Sequence, residues 1–190
     1  MTIAATTDRL ILRDWRDDDW DAFYEAMNTP AVMRYLGGVQ DRATWRAAAE
    51  RIAGFSRDFG HTFWLLEDRH SGEMLGFCGL KRVNSPGAGR LAGTPEIGWR
   101  LRESAWGKGI AKEAAIASLG LAFGQFDYDE VIALTVDQNA PSRGLMVRLG
   151  MTRQPERDFV DDRFGPELNP TIVYGIERAA WPEAREAAIV

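Results

Sequence analysis

Two glycines at the start of a long helical pattern are the residues of this chain best placed to do chemistry. Gly107 and Gly109 belong to the segment 106–111, Trp-Gly-Lys-Gly-Ile-Ala, and helical spacing then continues over 112–126. The first turn of a helix has backbone N–H groups without internal partners, and the helix dipole adds partial positive charge there. Glycine lets such a backbone approach a ligand closely because it has no Cβ. The segment therefore predicts a phosphate site, most plausibly for a pyrophosphate.

Two familiar phosphate loops fit this segment poorly. A P-loop requires Gly-x-x-x-x-Gly-Lys-Ser/Thr, whereas here Arg102 occupies the first glycine position and Gly109 follows Lys108. A dinucleotide loop requires Gly-x-Gly-x-x-Gly directly after a strand. Here Lys112 occupies the third glycine position, and residues 103–105 separate the loop from the preceding strand. The P-loop is therefore excluded and the dinucleotide loop is disfavoured.

A third pattern, Gln/Arg-x-x-Gly-x-Gly/Ala, matches better. It agrees with the sequence at Gly109 and Ala111, with Trp106 in place of the initial Gln or Arg. In this respect the segment resembles the loop that holds the pyrophosphate of coenzyme A in one acyltransferase superfamily. From the loop alone, an ordinary helix start that contains glycine remains the alternative.

Composition restricts the class of protein. The chain has 190 residues, 45% of them hydrophobic, which suits a single domain over residues 1–190 with a full core. No apolar run approaches the ~18 residues that span a membrane, and the first five residues lack the features of a signal peptide. The single cysteine, Cys78, excludes an internal disulfide. We therefore expect a cytoplasmic protein with no membrane partner, in which Cys78 is a small buried hydrophobe rather than a nucleophile.

Charge and histidine content exclude further classes. The net charge of −5, from 23 basic and 28 acidic residues, disfavours a nucleic-acid surface and is compatible with a cationic acceptor such as an amine. Two histidines, His61 and His70, form no metal-ligand pattern, and we expect no metal. The acidic run 17–19 precedes a helical pattern, so it is interpreted as a first helical turn.

Hydrophobic periodicity predicts a mixed α/β chain of seven strands and six helices without an internal repeat or linker. Strands are expected at 9–13, 62–66, 74–83, 96–101, 131–136, 151–156 and 171–177. Helices are expected at 20–27, 30–35, 41–59, 112–126, 139–149 and 179–188. The run 131–136 is apolar almost throughout, which is typical of a strand that is covered on both faces.

Several segments match, in order, the motifs of one acyltransferase superfamily. They are Thr7 to Arg13, Pro30 to Leu36 (with Thr29 in place of the usual Asp), Glu96 to Trp99, Asn139 to Ser142, Leu149 to Met151, and Val173 to Ile176 followed by Trp181. From Arg9 to Trp181 the chain resembles the GNAT N-acetyltransferases. The resemblance is to the branch that includes the acetyltransferases of ribosomal-protein N-terminal alanine and serine.

The resemblance implies a mostly antiparallel, seven-stranded mixed sheet that is splayed between strands four and five. Acetyl-CoA would lie in that gap, held by a strand edge and by the glycine loop. The implied cofactor contacts are the backbone of Gly98, Trp99 and Arg100, the amides of Gly107, Lys108, Gly109, Ile110 and Ala111, and the charges of Lys108 and Lys112.

The chemistry implied by the resemblance is direct attack of an amine on an acetyl thioester. Ser142 is the candidate that hydrogen-bonds or protonates the leaving thiolate, and Asn139 would hydrogen-bond the pantetheine amide. From spacing alone, the alternative is a helix cap for Asn139, and a cap or first-turn residue of the same helix is the favoured interpretation for Ser142. Glu96 is the candidate base, because a carboxylate in an apolar strand is unusual. Its alternative role is an ion pair with an arginine such as Arg100 or Arg102.

The acceptor side is less defined by the sequence. Arg34, Tyr35 and Trp15 are the candidate acceptor-binding residues, and ordinary surface or core roles are the alternative for each. Tyr174 is expected in the core rather than as a catalytic acid. The predicted function is acetyl transfer from acetyl-CoA to a protein N-terminal amine or a small-molecule amine, by a monomer or homodimer. A non-catalytic acyl-CoA-binding or sensing module of the same fold is the competing hypothesis.

Overall fold

A computed structural model describes residues 2–189 of the chain. Eight strands form one sheet in the order β1-β2-β3-β4-β5-β6-β8-β7. Neighbouring strands are antiparallel except β5 and β6, which are parallel. The strands are β1 (Ile3–Thr6), β2 (Leu10–Arg13), β3 (Phe63–Asp68), β4 (Met74–Arg82), β5 (Pro95–Leu101), β6 (Glu130–Val136), β7 (Thr152–Arg153) and β8 (Thr171–Glu177).

Helices cover both faces of this sheet. They are α1 (Asp19–Met27), α2 (Arg42–Phe59), α3 (Ile110–Gly124), α4 (Ala140–Arg148) and α5 (Trp181–Ile189). Side chains of α1 and α2 pack against the sheet face that carries Phe77, which we call the α2 face. Side chains of α3, α4 and α5 pack against the opposite face, the α3 face. No helix in residues 2–189 is long and apolar enough to cross a membrane.

Strand β5 shows how the two faces arise from the sequence. Side chains alternate along a strand, so Ile97, Trp99 and Leu101 join the core of the α3 face. The alternate positions, Glu96, Gly98 and Arg100, pair with Lys81, Gly79 and Phe77 of β4 and lie on the α2 face. One strand therefore places different residue types on two sides of the sheet.

The sheet opens between β5 and β6. These strands pair at one position, Glu96 with Ile132. Beyond it, the edge of β5 that faces β6 has no paired strand in the described chain. This confirms the predicted splay, which falls between the strands numbered here β5 and β6.

The sheet has eight strands rather than the expected seven. The additional strand is β1, whose sequence Ile-Ala-Ala-Thr has no alternating polar pattern that would predict it. Its partner is β2, reached through a short reversal of the chain. Long-range pairing, not local pattern, forms this edge strand.

Two local expectations are wrong. Segment 30–36 forms consecutive turns rather than a helix, with the N–H of Met33 donating to Thr29 O over 2.9 Å and that of Gly38 to Met33 O over 3.0 Å. The strand expected at 151–156 is reduced to β7, because Pro155 begins a short 3₁₀ helix and has no N–H for a sheet ladder. The remaining elements agree with the predicted ones to within a few residues at their ends.

Candidate active site

The loop between β5 and α3 presents unpartnered backbone N–H groups. Gly107 and Gly109 have φ values of 71° and 76°, a left-handed conformation that glycine adopts without strain. Among the residues that the structure describes, the N–H groups of Gly107, Lys108 and Gly109 donate no hydrogen bond. Helix α3 begins at the next residue, and the N–H groups of its first turn have no intrahelical acceptor. The loop is therefore a row of donors at the positive end of a helix dipole.

A side-chain network fixes this loop to the N-terminal strands. Arg9 donates to the carbonyl of Lys108 over 2.8 Å and forms an ion pair with Glu113. Thr7 donates its hydroxyl to the same carboxylate over 2.5 Å. Partial burial opposes ionisation of Glu113, but the hydrogen bonds from Thr7 and Arg9 hold its pKa below the ordinary value. Glu113 is therefore a charged anchor that orients the loop.

Two lysines accompany the loop. Lys108 is exposed and Lys112 is half-buried, and neither forms an ion pair within residues 2–189. Their positive charges stand beside the free N–H groups at the start of α3. Attraction of a phosphate by these two side chains stays a prediction.

Across the sheet opening, Trp99 and Ser142 meet. The indole N–H of Trp99 donates to Ser142 Oγ over 3.3 Å, linking β5 to the first turn of α4. Asn139 is the N-cap of α4, and its Oδ1 accepts from the N–H of Ser142 over 3.4 Å. The cap interpretation of Asn139 is thus confirmed. The Ser142 oxygen is already an acceptor, which leaves its O–H free to donate toward the opening.

Glu96 lies at the closed end of the same opening. It is 8% exposed and forms an ion pair with Lys81, the residue directly across from it on β4. Glu96 therefore forms an ion pair, as its alternative role predicted, but the partner is Lys81 rather than Arg100 or Arg102. The base role of Glu96 stays a prediction.

The three predicted acceptor residues occupy different environments. Trp15 is stacked on Trp20 with ring centroids 3.9 Å apart, and its indole N–H donates to Phe63 O over 2.6 Å. It is thus fixed in the aromatic cluster of the α2 face. Arg34 is exposed and lies over the ring of Tyr35, 5.2 Å from the centroid. Arg34 and Tyr35 belong to the segment of turns near this cluster, and their contact with an acceptor stays a prediction.

Other groups with reactive side chains do not belong to this site. Cys78 is fully buried, and burial raises the pKa of its thiol to about 12, so it is inert as a nucleophile. Tyr174 is in the core of the α3 face, as expected. In residues 2–189 no group of three or more His, Cys, Asp or Glu side chains could hold a metal ion. Two surface cavities, of about 400 and 230 Å³, lie away from the loop.

Comparison with known proteins decides the family. Residues 9–152 match the acetyltransferase (GNAT) domain. The chain is 31% identical over 146 residues to the uncharacterized protein YkkB of Bacillus subtilis, covering 76% of this chain and 83% of YkkB. The chain belongs to the GNAT acetyltransferase family. It is also 29% identical over 150 residues to the uncharacterized N-acetyltransferase YnaD of the same organism, covering 78% of this chain and 82% of YnaD.

Solved structures agree with this GNAT assignment. An acetyltransferase from Agrobacterium tumefaciens superposes with a TM-score of 0.75 at 26% identity, covering 91% of this chain and 93% of that one. Mycobacterium smegmatis RimJ, solved in complex with CoA-disulfide, superposes with a TM-score of 0.71, covering 95% and 88%. At 18% identity, RimJ shows the shared fold alone. The family membership supports acetyl transfer as the general activity.

The GNAT site contains residues that motif reasoning missed. Arg9 and Thr7 hold the loop through Glu113, although they are more than 100 residues away in sequence. Lys81 neutralises Glu96 from the neighbouring strand. The alternation of apolar residues along a strand predicts neither the contacts of Glu113 with Arg9 and Thr7 nor the ion pair of Lys81 with Glu96. Strand register and tertiary packing bring these residues together. For Glu113, its position one turn after Gly109 was the available signal.

Proposed function

We propose that this GNAT acetyltransferase transfers an acetyl group from acetyl-CoA to a primary amine by direct attack. The observation that carries the proposal is that the free N–H groups of Gly107, Lys108 and Gly109 follow the open edge of β5 closely in the chain, just before α3. The first feature suits a pyrophosphate and the second suits an amide-containing arm that adds to a strand edge. A cytoplasmic location is part of the proposal, in accord with a single buried thiol.

The residues present fit acetyl-CoA. Amides of residues 107–111 would hold its pyrophosphate, with Lys108 and Lys112 adding charge, and the backbone of residues 98–100 would pair with its pantetheine arm. The Nδ2 of Asn139 donates no hydrogen bond in the described chain, so it is free to bind an acceptor on that arm. Acetyl-CoA would supply the activated acetyl group as a thioester.

Ser142 is assigned to the leaving sulfur. Trp99 donates to its oxygen and thereby orients the hydroxyl proton away from the indole. A serine hydroxyl is a poor acid, so its contribution is a hydrogen bond to developing negative charge, directly or through water. The free N–H groups on the β5 edge near Gly98 are the matching donors for the carbonyl oxygen.

The amine must lose a proton before or during attack. An α-amino group has a pKa of roughly 8, so a partial base is sufficient. Glu96 lies on the α2 face two residues before Gly98, in position to accept that proton directly or through water. Because Glu96 forms an ion pair with Lys81, it could accept this proton only if the Lys81 ammonium group moved away from the carboxylate.

One observation favours a second candidate, a non-catalytic acyl-CoA-binding module. The carboxylate expected to act as base is neutralised by Lys81, which a binding protein would tolerate without loss. Such a module would bind acetyl-CoA without turnover. It would also be unaffected in function by Ser142→Ala.

The deciding experiment measures thiol release from acetyl-CoA. Peptides beginning with Ser or Ala are compared with polyamines, aminoglycosides and amino acids as acceptors. Turnover with either set supports acetyl transfer to an amine, and the set that reacts identifies a protein or small-molecule acceptor. Tight binding of acetyl-CoA by calorimetry, with no turnover in either set, would instead support the binding module.

A further inference from the structure

Arg100 presents an unpaired charge on the α2 face. Its guanidinium carbon lies over the rings of Trp45 and Phe77, 5.5 and 5.4 Å from their centroids. Its Nε is buried without a hydrogen-bond partner among residues 2–189, and its side chain is otherwise partly exposed. Burial lowers the pKa of Arg100 to about 10, so the side chain remains charged at neutral pH.

Several other arginines of residues 2–189 have carboxylate partners, whereas Arg100 has none. Arg102 pairs with Glu73, Arg163 with Asp161, and Arg42 with Asp21 and Glu25. No carboxylate pairs with Arg100, and within residues 2–189 none of its nitrogens makes a hydrogen bond. An unpaired charge in an aromatic environment is unfavourable unless something compensates it. The terminal nitrogens, which are not buried, are the positions where an anion from outside would bind.

The place of Arg100 in the sheet connects it to the amine acceptor. The glycine loop and Ser142 lie with α3 and α4, so the cofactor is assigned to the α3 face of the opening. An acceptor must then approach from the other side, where Gly98 and Arg100 both face. Residues two apart on a strand are separated by roughly 6.6 Å. The ring of Phe63 covers Gly98 on this face and stacks on Phe77, which Arg100 contacts. Substituents of an amine that enters the opening past these rings would therefore lie close to Arg100.

We propose that Arg100 binds an anionic group of the amine acceptor, a carboxylate or a phosphate. The inference rests on the proposed acetyl transfer and narrows its acceptor class. A guanidinium fork matches either anion with two parallel hydrogen bonds, and the rings of Trp45 and Phe77 restrict its movement. The net charge of −5 provides no general attraction for anions, so the selection would be local to Arg100.

The test uses acceptors in matched pairs. β-Alanine is compared with its amide, ethanolamine phosphate with ethanolamine, and a peptide beginning Ser-Glu with one beginning Ser-Gln. The first pair tests recognition of a carboxylate and the second tests recognition of a phosphate. The third pair tests whether the carboxylate can belong to a side chain of a peptide acceptor. Wild type is expected to show at least a tenfold higher kcat/KM for the anionic member of one pair.

Two variants of Arg100 and one control assign the preference. Arg100→Met keeps an unbranched stem between the rings and is expected to reduce the ratio to about one by raising KM for the anionic acceptor. Arg100→Lys keeps the charge and should retain part of the ratio. Arg82→Met is the control, because Arg82 also lies over two rings but donates to Gly93 O and to the Tyr128 hydroxyl, and it pairs with Pro95 at the other end of β5 from Arg100. Equal rates for both members in wild type, or a preference that survives Arg100→Met, would overturn the proposal.

A separate measurement keeps this inference distinct from the proposed reaction. If no acceptor is acetylated, the proposed function fails, and binding is then measured without turnover. Calorimetry compares N-acetyl-β-alanine with its amide, and N-acetylethanolamine phosphate with N-acetylethanolamine, in the presence of CoA for wild type and Arg100→Met. Tighter binding of either anion to wild type alone supports the anion site. Binding that does not differ within either pair, or a preference that survives in Arg100→Met, rejects it.

Discussion

The two sides of the sheet opening are built from different parts of the chain. On the α3 face, the glycine loop offers backbone N–H groups, and the side chains near it mainly fix the loop in place. On the α2 face, the rings of Trp45 from α2 and Phe77 from β4 lie against Arg100 of β5, so this region consists of side chains from separate elements. A backbone site depends on local conformation, whereas a side-chain site depends on packing between distant segments.

This difference has a functional consequence. A loop of amides recognises a phosphate group that is the same for every acyl-CoA, so its requirements are fixed by glycine positions. A side-chain surface can change with each substitution while the fold is preserved. Within one protein, the cofactor side is therefore expected to tolerate few sequence changes, and the acceptor side to define specificity.

The largest expected difference between the two regions is in the loss of stability when one aromatic ring is removed from each region. Phe77 is 5% exposed and stacked on Phe63 with centroids 4.8 Å apart, whereas Trp106 at the loop is 47% exposed. Phe77→Ala should lower the free energy of unfolding by about 3–5 kcal/mol and Trp106→Ala by about 1 kcal/mol or less. Urea unfolding of both variants measures this, with Phe77→Leu as a milder substitution. Equal losses would remove the distinction between the regions.

The next effect is on cofactor binding by the loop. Gly109→Glu places an anion and a side chain at the proposed pyrophosphate site, and acetyl-CoA should bind about 100-fold more weakly, or about 2.8 kcal/mol. Gly72→Glu is the matched control, because Gly72 has a φ of 74° against 76° for Gly109 and has open space around it. Calorimetry of the two variants separates backbone strain from loss of the site. Similar affinities for both would reject the loop assignment.

A smaller effect is expected at the link between the strands and α4. Ser142→Ala removes the hydroxyl that Trp99 orients, so kcat should fall about 10- to 100-fold. The KM for acetyl-CoA should stay within about twofold, because the backbone loop is unchanged. Ser104→Ala, at an exposed serine before the loop, is the control in the same thiol-release assay. An unchanged kcat would exclude Ser142 from the reaction.

The smallest expected effect is on the free energy of unfolding and comes from a histidine outside both regions. His61 Nδ1 lies 3.0 Å from Leu80 O, which only accepts, and Nε2 lies 2.5 Å from the Tyr128 hydroxyl. Burial, with a smaller effect from the charge of Arg82, lowers the pKa of His61 below its ordinary value of 6.5. The unfolded chain therefore binds the proton first as the pH falls.

It follows that the free energy of unfolding should be independent of His61 above pH 6.5 and should decrease below it, by at most about 1.4 kcal/mol per pH unit. Urea unfolding between pH 7.5 and 5.5 measures the slope. His61→Gln should remove this component, whereas His70→Gln, at an exposed position, should not. A slope that persists in His61→Gln would assign the acid sensitivity to other groups.

Local sequence patterns predicted much of the fold. The helix after Gly109 and the strands β4, β5, β6 and β8 were predicted because periodicity and glycine positions act within one segment. Strand β1 and the turns at 30–36 were not, because pairing and packing decide them. A helix-cap role for Asn139 was one of the predicted alternatives, and Asn139 is the N-cap of α4 in the structure.

The amino-acid sequence by itself determined the glycine loop, the apolar strands and the motifs that indicate the family, because each depends on residues close together in the chain. Only the tertiary structure decided that Lys81 pairs with Glu96, that Arg9 anchors the loop through Glu113, and that Arg100 has no partner in the described part of the chain. These relations depend on strand register and on which face each residue takes. A shift of one residue in a strand would exchange its two faces, so composition and motifs alone could not fix them.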